Sequence, residues 1–190
     1  MPAGQPPGRR RYITELSEPM QFAKDSFSMA LRERLAGLNP ARIVMLSGAQ
    51  RPAIVVLENE MPTPAELLTE CYYLEWGPMR VAEAVSAQRP LCAMDCTISY
   101  CSRGTVASGV DRGRILGELD RELFMICQPT VTGKYDFSQS PNANLGSGVF
   151  WTLPAVDATK TTFRRSDHDP AVVEHQAKVT VFFFPEVETI

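Results

Sequence analysis

The clearest alternation of apolar and polar residues lies between Leu91 and Ile126. In its first part every second residue is apolar, at Cys92, Met94, Cys96, Ile98 and Tyr100. This period of two predicts a strand with one buried face. In its last part apolar residues recur at helical spacing, at Ile115, Leu116, Leu119, Leu123 and Ile126. They predict an amphipathic helix that begins at Asp111 and keeps its charged residues, Glu122 included, in solvent. The strand and the helix bury their apolar faces by packing together.

A second helix is predicted near the N-terminus, from Pro19 to Leu38. Ser17 is a suitable N-cap, and a proline in the first turn needs no amide partner. Gly37 and then Asn39-Pro40 end the helix. Its apolar stripe consists of Met20, Ala23, Phe27, Ala30, Leu31, Leu35 and Leu38. Burying each large side chain of this stripe contributes ~1.5–3 kcal/mol, so we expect the helix to pack on the core.

Further strands are predicted from apolar runs. Arg42–Ser47 is a short one, and Ala53–Leu57 is β-branched and almost continuously apolar, which indicates a central strand. Residues 65–74 suit a short helix followed by a strand that ends at Trp76-Gly77-Pro78. Val172–Phe184 alternates again and is predicted to be the closing strand.

The region between the second helix and the closing strand has weaker signals. Gln128–Gly148 is polar and irregular, and we expect it to be an exposed loop or arm. Deletion of Tyr135–Leu145 should then spare folding. Val149–Leu153 and Thr161–Arg165 are predicted to form a hairpin.

Together these elements predict an α+β fold. Its mixed or mainly antiparallel sheet is packed by two helices and carries an extended loop or β-hairpin arm. The chain of 190 residues fits one domain, at 13–190, with an elaboration at 128–165 and a leader at 1–12.

Composition narrows the choice of partners. The net charge of -3 gives no general attraction for polyanions. Arg9-Arg10-Arg11 lies in a Pro/Gly-rich leader, which favours a flexible or partner-ordered tail over nucleic-acid contact. No apolar run approaches 18 residues, so we expect no membrane span, and the leader lacks the apolar core of a secretory signal.

The five cysteines are odd in number and scattered. They indicate reduced thiols that serve as small apolar side chains in a cytosol-like compartment. Cys92, Cys96 and Cys101 do not predict a zinc site. Residues four apart on a strand lie ~13 Å from each other, whereas zinc ligands lie within ~2.3 Å of the metal.

Two other clusters have both a structural and a functional interpretation. His168 and Asp169, with Asp167 and His175, could hold a metal or act in acid–base chemistry, but Asp-His-Asp-Pro also suits a turn. His175 falls on the apolar face of the closing strand, where a hydrogen-bonded core histidine is the commoner outcome. Arg164-Arg165, near those aspartates, fits either a solvated turn or an interface between subunits.

The order of elements resembles that of the tail terminator (tail completion) proteins of long-tailed phages and contractile injection systems. The segments that carry the resemblance are Pro19–Leu38, Pro52–Leu57, Cys92–Tyr100, Asp111–Met125, Phe163-Arg164-Arg165-Ser166-Asp167 and Ala177–Phe184. The leader and the segment 128–148 lie outside it.

The resemblance implies a structural protein without catalysis or cofactor. It implies a ring, usually of six copies, that sits on the last ring of the tail tube, stops polymerisation and meets the sheath or the head connector. Such a protein is cytoplasmic during assembly and then part of the particle, with no membrane and no specific nucleic-acid partner. The candidate subunit or tube contacts are Arg164, Arg165, Asp167, Asp169, Tyr135, Phe137, Arg103 and Arg112. The alternative is a small cytosolic enzyme or ligand-binding domain that uses the His168/His175 region.

Overall fold

The computed structural model describes residues 17–60, 68–83, 90–104, 111–156, 164–165 and 172–185. These residues contain two helices, α1 (Ser17–Leu38) and α2 (Asp111–Ile126), as predicted. The strands are β1 (Ile43–Leu46), β2 (Ala49–Pro52), β3 (Ile54–Val56), β4 (Tyr72–Glu83), β5 (Leu91–Ser102), β6 (Val131–Asp136), β7 (Ala143–Trp151), β8 (Ala155–Val156), β9 (Arg164–Arg165) and β10 (Val173–Phe183).

The main sheet has the strand order β3-β4-β5-β10-β7-β6. β10 pairs antiparallel with β5 along its whole length, from Val173 opposite Ser102 to Phe183 opposite Cys92. On its other side β10 pairs in turn with β9, β8 and β7. β3 is parallel to β4, whereas β1 and β2 form a separate hairpin. The predicted α+β fold with a mixed, mainly antiparallel sheet is therefore confirmed.

The core lies on one face of this sheet because the registers align the apolar positions of neighbouring strands. Leu74, Ile98 and Ala177 form one such row across β4, β5 and β10. The alternating residues of β5 that the sequence singles out are all buried. Those of β10 are buried from Ala177 onward.

α1 packs against both ends of the sheet. The Arg32 guanidinium donates to the carbonyl of Ile54 in β3, with Nη2 at 2.9 Å. The Tyr135 amide in β6 donates to Ser26 Oγ at 2.9 Å. Between them, Phe27 is fully buried. The sheet thus curls around α1, and this helix covers the outer backbone of both terminal strands at these points.

The prediction that Ala53–Leu57 is a central strand is wrong. β3 lies at the end of the sheet, yet its three residues are buried. The Glu60 carboxylate, which binds Arg32, also accepts the Val56 amide at 3.1 Å. The ion pair and α1 bury the outer side of β3, so its composition resembles that of an interior strand.

The prediction of an irregular segment at 128–148 is also wrong. β6 and β7 form a hairpin there, with Val131 opposite Phe150 and Asp136 opposite Ala143. Deletion of Tyr135–Leu145 would remove paired residues of β6 and β7, so the protein is no longer expected to fold normally without this segment. Likewise β7 and β9 both pair with β10 rather than forming the predicted hairpin.

β4 does not end at Trp76-Gly77-Pro78 as predicted. It continues to Glu83 through a register shift between Trp76 and Met79. Gly77 suits this position, because a Cβ there would lie 3.3 Å from the Asp95 carbonyl oxygen, which is a tight contact. The predicted leader, and the start of the short helix predicted within 65–74, lie outside the described residues.

The outer face of the sheet carries an ion cluster around Asp95 in β5. Arg80 and Lys178 bind its carboxylate at 3.0 and 2.6 Å, and Thr180 Oγ1 donates to it at 2.8 Å. Burial by itself would raise the pKa of Asp95, but the hydrogen bonds from Lys178, Arg80 and Thr180 lower it to about 2.

We expect Asp95→Asn to flatten the pH dependence of stability between about pH 4 and pH 2. The folded-state pKa of Asp95 is depressed, so its carboxylate stabilises the fold above the unfolded pKa. This contribution disappears as the pH falls through the folded pKa. Thermal midpoints measured from pH 6 to pH 2 test the prediction, with Glu75→Gln on the same face as the control. An unchanged slope in Asp95→Asn would contradict it.

Candidate interaction groove

Two predicted contact residues, Tyr135 and Phe137, lie together at the end of β6. Their ring centroids are 6.0 Å apart and the rings are tilted by 55°. Both line an open groove between the outer surface of α1, strand β2 and the β6–β7 hairpin. Its volume is about 810 Å³. The lining residues are Ser26, Met29, Ala30, Arg32, Glu33, Ala36, Arg51, Pro52, Thr132, Tyr135, Phe137 and Asn142.

The local sequence sets the position of Tyr135. Its ring lies against Gly133, where an added Cβ would come within 2.7 Å of Tyr135 Cε2. The β6–β7 register shifts between Gly133 and Tyr135. With the bond from the Tyr135 amide to Ser26, these features fix the aromatic end of β6 onto α1.

Phe137 follows β6 in a turn that Asp136 organises. The Asp136 carboxylate accepts the Ser138 amide at 2.9 Å and the Ser138 hydroxyl at 2.6 Å. Gln139 Nε2 donates to its other oxygen at 2.7 Å. Short side chain–backbone bonds of this kind stabilise turns, so Phe137 is presented from an ordered segment.

The charged groups in the groove wall are mostly paired. Glu60 binds both Arg32 and Arg51, the latter at 2.5 Å. Glu33 is different: it is exposed and forms no ion pair with any residue that the structure describes. The groove therefore combines an apolar lining with one available carboxylate.

The predicted arginines lie elsewhere. Arg112 Nε donates to the carbonyl of Arg103 at 2.9 Å, which joins the start of α2 to the end of β5. The backbone of Arg164–Arg165 pairs with Val173 and Glu174 at the beginning of β10, whereas Tyr135 lies beyond its other end. The structure thus separates the predicted contact residues into two places. Asp167 and Asp169 lie outside the described residues.

The His175 region forms a small cluster under α2. The Tyr100 hydroxyl donates to Asp120, and His175 Nδ1 lies 3.0 Å from the same carboxylate oxygen. Burial, followed by the hydrogen bond to Asp120, raises the pKa of Tyr100. A cavity of about 90 Å³ adjoins this cluster. His175 is hydrogen-bonded, as predicted, but it is partly exposed and not a buried core residue. His168 is outside the described residues.

The cysteines serve as small buried side chains, as predicted. All five are free and buried. Burial raises the pKa of Cys71, Cys101 and Cys127 to about 12, so these thiols stay protonated. Within the ranges described, no group of three or more metal-ligating residues is assembled. No helix in those ranges is long and apolar enough to cross a membrane.

Sequence reasoning identified Tyr135 and Phe137 but missed the rest of the groove. Met29 is an apolar residue outside the core stripe of α1, and this position could have indicated an exposed apolar surface on the helix. The spacing of Gly133 and Tyr135 was another. Arg51 and Pro52 could not have been found, because their place beside α1 depends on the tertiary position of the β1–β2 hairpin.

The sequence matches no model of a known protein family and shows no significant similarity to any curated protein.

Proposed function

We propose that the protein is a tail terminator, which caps the tube of a phage or phage-like tail and offers a surface to the sheath or head connector. The observation that carries the proposal is the apolar groove with Tyr135 and Phe137, which the fold holds on a rigid helix and hairpin. The α+β fold and the element order of the tail terminator resemblance support it.

A terminator must bind a tube end with one face and must not bind another tube subunit with its opposite face. This selectivity is a difference between the affinities of the two faces for the tube protein. α1 covers part of the outer backbone of β3 and β6. This arrangement opposes growth by strand addition at those edges. Contacts with other subunits then depend on side chains, and the groove offers the apolar lining that such contacts use.

The arginine group forms a second surface in this proposal. Arg103, Arg112 and the backbone of Arg164–Arg165 lie near the start of β10, away from the groove. Two unlike surfaces at different ends of the sheet suit a protein that joins the tube to another component. We assign the groove to ring and tube contacts and the arginine end to sheath or head contacts.

We expect the protein to shorten tubes. The test polymerises the tail tube protein from the same genome with increasing amounts of the purified full chain, and negative-stain microscopy gives the tube lengths. Mean length should fall as the ratio of terminator to tube protein rises. Tyr135→Ala/Phe137→Ala should lose this effect, whereas Val81→Ala, at an exposed position outside the groove, should keep it. Tube lengths independent of the wild-type protein would refute the proposal.

A second candidate function is binding of a small ligand at His175. The observation in its favour is the Asp120–His175 pair beside the small cavity. Native mass spectrometry of the purified protein distinguishes the two: a monomer that retains a small molecule favours this candidate. An assembly of about six copies without a retained molecule favours the terminator.

A further inference from the structure

A second exposed apolar surface lies at the end of α2. Phe124 and Met125 on its last turn are 46% and 49% exposed, and Val131 at the start of β6 is 72% exposed. None of the three lines the groove. We call Phe124, Met125 and Val131 the α2 patch.

The α2 patch has a rigid base. Arg34 of α1 donates to the carbonyls of Ile126 and Gln128 at 2.7 and 2.8 Å. Its guanidinium also lies 5.1 Å from the centre of the Trp151 ring. These contacts hold the end of α2 against α1, so the large apolar side chains are exposed from an ordered position.

A charge accompanies each apolar surface. Arg121 is exposed one turn before Met125 and forms no ion pair with the residues described. Glu33, in the groove, has the same property with the opposite sign. The groove is concave and includes the carboxylate of Glu33, unpaired among the described residues, whereas the patch is an exposed helix end next to the basic side chain of Arg121.

We propose that the groove of one copy receives the α2 patch of the next copy, with Glu33 facing Arg121. The interface is head-to-tail, because its two halves are different parts of the chain. Repetition around a rotation axis closes a ring. This inference rests on the proposed function and names the surfaces by which the terminator's subunits meet.

The matching character of the two surfaces favours a second copy as the occupant. The groove, formed by two hairpins and a helix, has a mainly apolar lining and the carboxylate of Glu33. The α2 patch offers exposed apolar side chains next to the guanidinium of Arg121. Apolar side chains at the centre with an ion pair at the rim are typical of specific interfaces.

The test uses two full-length variants with substitutions at exposed positions. Met29→Lys damages the groove, and Phe124→Lys damages the α2 patch. Mass photometry should show an assembled wild type, and each single variant should need at least about tenfold more protein to assemble. An equimolar mixture should give heterodimers and nothing larger, because one intact groove can meet one intact patch. Val81→Lys, at a similarly exposed position, should assemble normally.

Charge reversal adds a rescue. Glu33→Arg and Arg121→Glu should each weaken assembly, whereas the double variant should restore it, because every interface then regains an opposite pair. Circular dichroism establishes that each variant is folded. Normal assembly of both lysine variants would overturn this pairing of surfaces, and so would a mixture that stays monomeric. Neither result would decide whether the wild-type protein shortens tubes, so the tube-length assay tests the proposed function separately.

Discussion

Phe27→Ala is expected to lower the free energy of unfolding by about 3–5 kcal/mol. Phe27 is fully buried on α1. Its ring meets the rings of Trp76 in β4 and Trp151 in β7 edge-on, at centroid distances of 5.6 and 5.0 Å. Removing the ring leaves a cavity between α1, β4 and β7. These elements are packed against the rest of the core, so they cannot move to fill the cavity.

Urea unfolding followed by circular dichroism measures this effect. Met29→Ala is a matched control, because Met29 lies half a turn further along α1 and is 42% exposed. It should change stability by about 0.5 kcal/mol or less. A urea midpoint for Phe27→Ala equal to that of the wild type would mean that α1 does not pack as described.

Glu122→Ala is expected to lower the free energy of unfolding by about 2–4 kcal/mol, since it removes the buried partner of Arg42 and the acceptor of Asn39. Arg42 then keeps only the more exposed Glu70 carboxylate, at 2.7 Å. The Glu122 carboxylate binds Arg42 Nε at 3.0 Å and Asn39 Nδ2 at 2.6 Å. The Tyr72 hydroxyl lies 3.3 Å from it. These contacts join the end of α1, the residue before β1, strand β4 and helix α2.

The effect has a pH dependence of known sign. Burial by itself would raise the pKa of Glu122, but hydrogen bonds from Arg42 and Asn39 lower it. The carboxylate therefore stabilises the fold above its unfolded pKa, and protonation removes that contribution as the pH falls. Glu122→Gln should be less sensitive to acid than the wild type.

Chemical unfolding at pH 7 gives the comparison. Glu118→Ala, one turn earlier on the exposed side of α2, is the control and should change little. Equal losses of unfolding free energy in the two variants would show that the Arg42–Glu122 pair does not stabilise the fold more than an exposed glutamate does. A large loss confined to Glu122→Ala is the expected result.

The elements with strong periodicity were predictable from sequence. β5, β10 and α2 each bury one side against a single apolar layer, so their patterns of 2.0 and 3.6 residues persist along the chain. α1 was predictable from its apolar stripe and from the residues that mark its ends, the N-cap Ser17 and the terminating Asn39-Pro40. Glu122 shows the limit of this reasoning, because its pattern position is that of a surface residue. Only the position of Arg42, eighty residues away, makes its burial favourable.

The β6–β7 hairpin escaped prediction for a related reason. Its inward residues include Lys134 and Asp136, both buried, so the strand lacks the apolar alternation that marks β5. Lys134 is accommodated because Nζ donates to the Phe184 carbonyl at 2.5 Å and lies 5.4 Å from the centre of the Phe183 ring. Those partners belong to the far end of the chain.

The candidate site was half predictable. The isolated aromatics of a polar segment indicated Tyr135 and Phe137, but the segment was interpreted as a loop. The groove exists because that segment is a hairpin packed on α1, a tertiary contact that no local pattern encodes. β3 shows the same limit: its apolar run predicted burial correctly, but not its place at the end of the sheet.

The location of the protein on assembled tubes tests the central claim most directly. Gold-labelled full-length protein, bound to tubes of the tail tube protein and viewed by electron microscopy, should mark one end of each tube. Label along the tube walls, or tubes without label at either end, would contradict the assignment as a terminator.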